Sequence, residues 1–472
     1  MIRFLIFLIA FSLAGCGLKN KKARVEQAPF CRDLDEIIAS GKLVALTDVS
    51  STSYFVYQGA AVGFEYDLLK RFAKELGVQL EIKAVEDLDC IVDMLEQGEG
   101  DLIAANYTVT PERQELINFS QPILQTHQVL VQRLPTGWYS MPKASIDTML
   151  VKSIENLVGK TVYVRYESSY YPLLAEANIP LNHQINIETV SKLTTEQLIE
   201  QVAKGEIEYT VADENIARLN KAYFPNIDIN TKLSEEQDVA WAARQSSHEL
   251  LDSLNTWLTE FKASKSFAMI HMKYFQARTQ HKKRVMSKFS SLKGGGISAY
   301  DDILRRESKR IGWDWKLLAA MIKKESNFNP NAQAASGASG LMQLIPNTAA
   351  HFGADSVLDP EQNIQAGVSY IAAVMEHWEE SIADSAMRIR FVLASYNVGL
   401  GHVQDAQRLA IKYGQDANQW PIIAHYLEML MQPEFYNDEV VKYGYCRGTD
   451  PVHYVLAVET YWTHYRNTFG GT

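Results

Sequence analysis

A chain of 472 residues is longer than one ordinary hydrophobic core can organise, so two or three domains are expected. Its 47% hydrophobic and 22% charged content is that of a folded soluble protein. The formal net charge of −10 argues against a general nucleic-acid binder, although one local basic run is present.

The chain opens with Arg3, an apolar run from Phe4 to Leu13, and then Leu13-Ala14-Gly15-Cys16. The run is too short to span a bilayer comfortably, and the order charge, apolar core, small residues is that of a targeting signal. It resembles a bacterial lipoprotein signal over residues 1–15, cleaved before Cys16, whose thiol and new amino terminus would carry lipid. Several acyl chains hold a protein stably at a membrane surface. With Gly17 after the cysteine in place of Asp, the sorting rules for such signals imply the periplasmic face of the outer membrane. An ordinary secretory signal with a chance cysteine is the alternative. Residues 16–34 read as a polar tether.

From 35 to 275 strand-like and helix-like runs alternate. Lys42 to Leu46 is a predicted strand. Glu65 to Leu76 places Leu68, Leu69, Phe72, Ala73 and Leu76 on one helical face, and Gly77 stops it. Val78 to Ile82 and Asp101 to Ala105 are further strands, the second ending at the loop Asn106-Tyr107-Thr108-Val109-Thr110-Pro111-Glu112-Arg113. This rhythm predicts an α/β domain with a binding site at the carboxyl ends of its strands.

Gly63-Phe64-Glu65-Tyr66-Asp67-Leu68, Thr108 to Arg113, Phe119-Ser120-Gln121-Pro122 and Gly159-Lys160-Thr161-Val162 resemble the family 3 periplasmic solute-binding proteins, of the amino-acid-binding type. The resemblance implies a two-lobed type II binding-protein fold. It maps the arginine that clamps a ligand α-carboxylate onto Arg113, where a planar guanidinium can make paired hydrogen bonds. Asn106 and Thr108 come from the same loop, Ser169 from the second lobe, and Asp213, after the strand Tyr209 to Ala212, matches the acid that holds an α-ammonium. Asn106 and Tyr107 replace small residues common there, which points to an unusual ligand, an amino acid or a peptide fragment of the cell wall. On the residues alone, without those motifs, the better reading is Arg113 as a solvated helix-start residue and Asp213 as a cap.

Residues 276–298 form a basic, Gly-rich linker. His281-Lys282-Lys283-Arg284 reads as a solvated face, and Gly294-Gly295-Gly296 as a flexible joint.

The last segment, 299–472, holds the most specific signal. In Asp314 to Glu325, the residues Leu318, Met321, Ile322 and Glu325 fall at i, i+3, i+4 and i+7 and share a face. Pro330 is the expected stop. A carboxyl on an apolar stripe is desolvated, which raises its pKa and keeps it protonated near neutral pH, as a general acid requires. A glutamate in the last helical turn can also swing out to solvent. Beyond it come the small, flexible Ser336-Gly337-Ala338-Ser339-Gly340, then Leu341-Met342-Gln343, and later Ala394-Ser395-Tyr396-Asn397.

In that order these motifs resemble the catalytic domain of the soluble and membrane-bound lytic murein transglycosylases, a mostly helical, lysozyme-like fold. The resemblance implies that Glu325 is the sole acid/base. It further implies that Met342 and Gln343 line a glycan groove, joined by Tyr396, Asn397 and the late Tyr454 of Tyr454-Val455. Where many relatives carry a serine nine residues after the glutamate, this chain has Ala334, and Ser336 is the candidate substitute. The expected partner is a peptidoglycan glycan strand, cleaved without water to leave a 1,6-anhydromuramic acid end. Hydrolysis would need a second acid. Asp355 and Asp359 stand downstream, with Asp359-Pro360 read as the opening of the next helix. Two rivals stay open: a sensor whose lysozyme-like module only grips glycan, and a water-using muramidase. A Cys31–Cys90 disulfide is compatible with an oxidising periplasm, Cys446 would be left for the core, and no cysteine has metal-ligand spacing. Neither metal nor cofactor is expected, and no nucleic acid.

Overall fold

The computed structural model describes residues 32–85, 88–191 and 193–470. The signal, Cys16 and Cys31 lie outside them, so the lipid site and the Cys31–Cys90 pairing do too. The Sγ of Cys90 sits 3.9 Å from the Met94 Sδ.

Two five-stranded sheets build the two lobes expected for the first half. In the first, Gln79–Val85, Lys42–Asp48 and Leu102–Ile103 run parallel, Ala242–Arg244 joins antiparallel to Leu102–Ile103, and Ile117–Phe119 pairs antiparallel with Ala242–Arg244 at the edge. The register Lys42 to Gln79 through Asp48 to Val85 puts Leu43, Ala45 and Leu46 fully inside. The second sheet orders Asn186–Val190, Thr161–Arg165, Tyr209–Asp213, Gln128–Arg133 and Ile227–Lys232. The chain passes between the lobes along Leu124–Thr126 and Gln237–Val239, which pair antiparallel as a two-stranded connection. The predicted helix appears as Phe64–Glu75, burying Leu68, Leu69, Phe72 and Ala73.

The second half is helical. Trp315–Ser326 runs through its centre with Leu317, Leu318, Ala319, Ala320, Met321 and Ile322 all fully buried. Each such large apolar side chain contributes about 1.5–3 kcal/mol by leaving water. Around it pack Asp301–Arg310, Pro360–Glu379, Ser385–Val398 and the terminal helix Thr449–Thr468. The central helix does not run on towards Pro330. It stops at Asn327, whose φ of 53° is left-handed and is followed by Phe328 at 61°. Asn tolerates that geometry because its short side chain bonds locally, here accepting from Lys323 Nζ at 2.6 Å.

The linker departs from its sequence reading. Rather than a solvated face, His281 is completely buried on the helix Arg278–Val285, stacked on Tyr223 and edge-on to Tyr274, and burial drives its pKa down to about 3. Nor do the three glycines form a loose joint. Gly296 N donates to Lys288 O at 2.9 Å and Gly295 N to Ser290 O at 3.2 Å. A Cβ on Gly295 would meet Lys288 O at 2.2 Å, so glycine is needed there for close backbone approach rather than for flexibility.

The halves also share structure. The hairpin Phe55–Tyr57/Ala60–Val62 leaves the first lobe and inserts Val56 into the core of the helical domain. Tyr465 donates to Gly59 O at 2.9 Å, Asn467 to Ile82 O at 2.6 Å, and Lys323 to Gln58 O at 3.0 Å. Tyr54 reaches His464 Nδ1 at 2.9 Å, inside a buried aromatic cluster that includes Tyr66.

A packed linker makes a specific demand. Gly295→Ala should destabilise the protein by about 2 kcal/mol, the usual cost of overpacking, in urea titrations. A flexible joint would tolerate the change without loss.

Candidate active site and ligand cleft

The geometry around Glu325 is set from both ends of its helix. At the start, Asp314 accepts from Lys316 N at 3.0 Å as the N-cap. Its other oxygen accepts from Trp462 Nε1 at 2.7 Å, which ties the central helix to the terminal helix that carries Tyr454. At the far end Ser326 is buried, its hydroxyl donating back to Ile322 O at 3.2 Å.

Glu325 keeps part of its surface open to solvent, while its carboxyl end is enclosed. Burial raises its pKa to about 7; Tyr454 and, more weakly, Lys324 pull the other way. The Tyr454 hydroxyl is buried and lies close to Glu325: it lowers the carboxyl's pKa, and the carboxyl raises its own. Tyr396, whose hydroxyl is also pushed up by burial and by Glu325, donates to Met342 O at 2.7 Å and packs on Tyr370 with ring centroids 5.2 Å apart.

The glycine-rich loop is pinned from beneath. Asn363, fully buried in the helix Pro360–Glu379, accepts from Met342 N at 2.8 Å and donates to Val357 O at 2.8 Å and Ser339 O at 3.2 Å. Gly340 has φ +81° and lies so close to Asn363 that a Cβ would fall 2.3 Å from its amide nitrogen. Gln343, itself at φ +48°, donates to Gly340 O at 2.9 Å and Ala332 O at 3.1 Å, leaving its carbonyl oxygen without an internal partner.

These positions correct one detail of the sequence reading. Met342 is completely buried against Gly367 and is not a surface contact. Ser336 and Asn397 are exposed, Tyr396 is partly so, and Tyr454 is buried. Asp359 is the N-cap of the next helix, accepting from Gln362 N at 2.9 Å, and Asp355 is exposed. Sequence reasoning missed Asn363 and Tyr370. The signal was there: Asn363, Gly367, Tyr370 and Ile371 recur at helical spacing, which places a lone amide on an apolar stripe.

A concavity of about 1370 Å³ lies between the two lobes and is lined by residues that include Asn106, Thr108, Arg113, Ser169 and Asp213. Arg113 stacks on Tyr107, 3.8 Å from the ring centroid, and donates from Nη1 to Thr108 O at 2.8 Å. Asn106 donates across the cleft to Asp213 Oδ2 at 2.7 Å and accepts from Asn215 at 2.8 Å. The other oxygen of Asp213 is buried without a partner, and burial raises the carboxyl pKa to about 6. Gln128 donates to Ser169 Oγ at 3.1 Å. Among the described residues no cluster of His, Cys, Asp and Glu could hold a metal ion.

The raised pKa of Glu325 has a consequence for stability. The folded state holds the proton more tightly than the unfolded chain, so ionisation costs stability as pH rises from about 4.5 to about 7. Glu325→Gln removes that cost. It should raise stability by about 1–2 kcal/mol at pH 8, after allowance for residual exposure, and leave it nearly unchanged at pH 4. Thermal melts at the two pH values check this.

The family model for bacterial extracellular solute-binding proteins, family 3, matches residues 43–277, and that for the transglycosylase SLT domain matches 302–419. A protein of Desulfosudis oleivorans named membrane-bound lytic murein transglycosylase F is 37% identical over 91% of this chain and 91% of its own length. One of the same name from Ectopseudomonas mendocina is 32% identical over 95% of this chain and 88% of its own. The solved structure of holo ArgBP from T. maritima is 26% identical, covering 50% of this chain and 97% of that one, with a TM-score of 0.42. With both halves matched in order and this identity across nearly the whole length, the chain belongs to the membrane-bound lytic murein transglycosylase F family.

Proposed function

We propose that the protein cleaves the β-1,4 bond between N-acetylmuramic acid and N-acetylglucosamine in peptidoglycan and leaves a 1,6-anhydromuramic acid end. One observation supports the reading: a carboxyl kept protonated near neutral pH by burial, in surroundings it shares with the hydroxyls of Tyr396 and Tyr454. Glu325 gives its proton to the glycosidic oxygen as the C1–O bond breaks, and the electron pair leaves with that oxygen. Positive charge at C1 is carried by the muramyl N-acetyl group or an oxocarbenium-like state. Glu325, now a carboxylate, takes the proton of the C6 hydroxyl while that oxygen bonds to C1. The first proton stays on the departing hydroxyl, the C6 proton restores the acid, and no water is consumed. Tyr396 and Tyr454 share the acid's surroundings and help to exclude water from it, and Ser336, Gln343 and Asn397 offer polar contacts to the strand.

Cys16 would anchor the chain by lipid to the outer membrane, on its periplasmic face, as the signal sequence suggests and as the relatives' membrane-bound name supports. No helix among the described residues is long and apolar enough to cross a membrane.

The cleft between the lobes would take an amino acid or a wall-derived peptide, with its carboxylate on Arg113, Thr108 and Ser169 and its amino group towards Asp213 and Asn106. Binding would regulate cleavage, since the lobes and the catalytic helix are joined physically. Ser51 of the first lobe donates to Glu196 of the second, its hydroxyl at 2.5 Å and its N–H at 3.1 Å. The following hairpin reaches Lys323, two residues from Glu325. Coupling requires the ligand to prefer one arrangement of the lobes.

Glu325→Gln should cut release of anhydro-muropeptides from purified sacculi by at least about 10³-fold, a general acid's usual contribution. Mass spectrometry of wild-type products should find anhydro rather than reducing ends; reducing ends would mean hydrolysis. Because the acid must be protonated, kcat/KM should fall about tenfold per pH unit above about 7. Calorimetry against amino acids and muropeptides should detect a cleft ligand that Arg113→Ala binds about 30-fold more weakly or worse. Silence of the wild type across that panel would leave the lobes as a scaffold.

A further inference from the structure

Another part of the helical domain is built for contact. The loop between Pro433–Tyr436 and the terminal helix presents Tyr443 and Tyr445 to solvent, 59% and 56% exposed. Its backbone is nevertheless held by a completely buried carboxylate. Asp405 accepts from Lys442 N through Oδ1 and from Tyr443 N through Oδ2, each at 2.7 Å. Arg408 pairs with Asp405 and donates from Nε to Val440 O at 2.9 Å. Burying a charge is costly unless hydrogen bonds and a counter-charge offset it, and here all of them go to one short stretch of chain.

The Tyr443 ring rests on Gly401. A Cβ at that position would lie 2.6 Å from Cδ1, Cε1 and Cζ alike, which puts the ring's face, not its edge, over the glycine. Any larger residue there would lift the ring away. One face is thus supported by bare backbone and the ring as a whole stays largely open to solvent. His402 flanks it edge-on at 6.2 Å. Gly401 is five residues beyond Tyr396, so the platform lies at most about 18 Å along the chain from the tyrosine that touches the acid's surroundings.

We propose that Tyr443, held flat on Gly401 by the Asp405-pinned loop, is a stacking platform for a pyranose ring of the glycan strand, away from the bond that is cut. It rests on the reading of Glu325 as a murein-cleaving acid and extends it to a distal subsite. A rigid aromatic face binds the apolar face of a sugar at little entropic cost, whereas a mobile exposed tyrosine would lose ordering entropy on contact.

The test uses the full-length chain. In a Glu325→Gln background, Tyr443→Ala should weaken binding of purified glycan strands by about fivefold to tenfold, while Tyr443→Phe and Tyr443→Trp stay within about twofold of the parent. Gly401→Ala, which lifts the ring, should follow Tyr443→Ala. In the active enzyme, Tyr443→Ala should raise KM on soluble strands by a larger factor than it lowers kcat. Strand binding by Tyr443→Ala equal to the parent overturns the platform. So does a Tyr443→Phe variant as weak as Tyr443→Ala, since the ring face would then not be what binds. Release of anhydro ends by the parent reports on the Glu325 chemistry separately, so the two ideas fail independently.

Discussion

Everything in the helical half serves the removal of water from one carboxyl. A glutamate in the last turn of a helix would ordinarily extend into solvent and ionise near pH 4.5. Here the rest of its helix is buried almost all round, two tyrosine rings close over the site from other helices, and the terminal helix is tied back through Trp462 to the N-cap Asp314. The rise to about 7 reflects how much of the surrounding protein must be in place before the carboxyl is shielded.

The loop that faces this acid depends on a similar economy of polar groups. One amide, Asn363, satisfies three backbone partners of the Gly-rich turn, and the turn's strained residues, Gly340 and Gln343, are held by the hydrogen bonds they receive and make. A buried side-chain amide with every bond formed rigidifies, and one left half-paired would cost more than an apolar residue. The loop is therefore stiff, its conformation fixed by bonds rather than left to be set on contact.

Much of this was legible beforehand, and for physical reasons. The spacing of Leu318, Met321, Ile322 and Glu325 carries its own geometry, and the alternation of apolar runs with helical periods predicts parallel strands in the first half. What the residues did not reveal depends on contacts distant in sequence. The helix end at Asn327 rather than near Pro330 reflects a left-handed residue whose side chain accepts from Lys323, which the hairpin holds in turn. The basic run at 281–284 looked solvated because composition cannot tell which side of a short helix faces Tyr223 and Tyr274. Gly294 to Gly296 looked loose because glycine serves close packing as readily as freedom, and only the neighbouring backbone of Lys288 separates the two uses. Met342 looked like a contact because its motif lies on the groove, although its side chain points inward to Gly367.

The hairpin at 55–62 carries an implication for how the two halves can change over time. Val56 fills space in a core otherwise made by residues beyond 296, and Tyr54, Gly59 and Ile82 are all bonded to the last turns of the chain. A fragment beginning near residue 299 would therefore fold around a missing plug, with an oily dent beside the helix that bears the acid. Sequence drift in the binding lobes is tethered to drift in the enzyme, and a swap of either half for a relative's would have to bring its matching surface along.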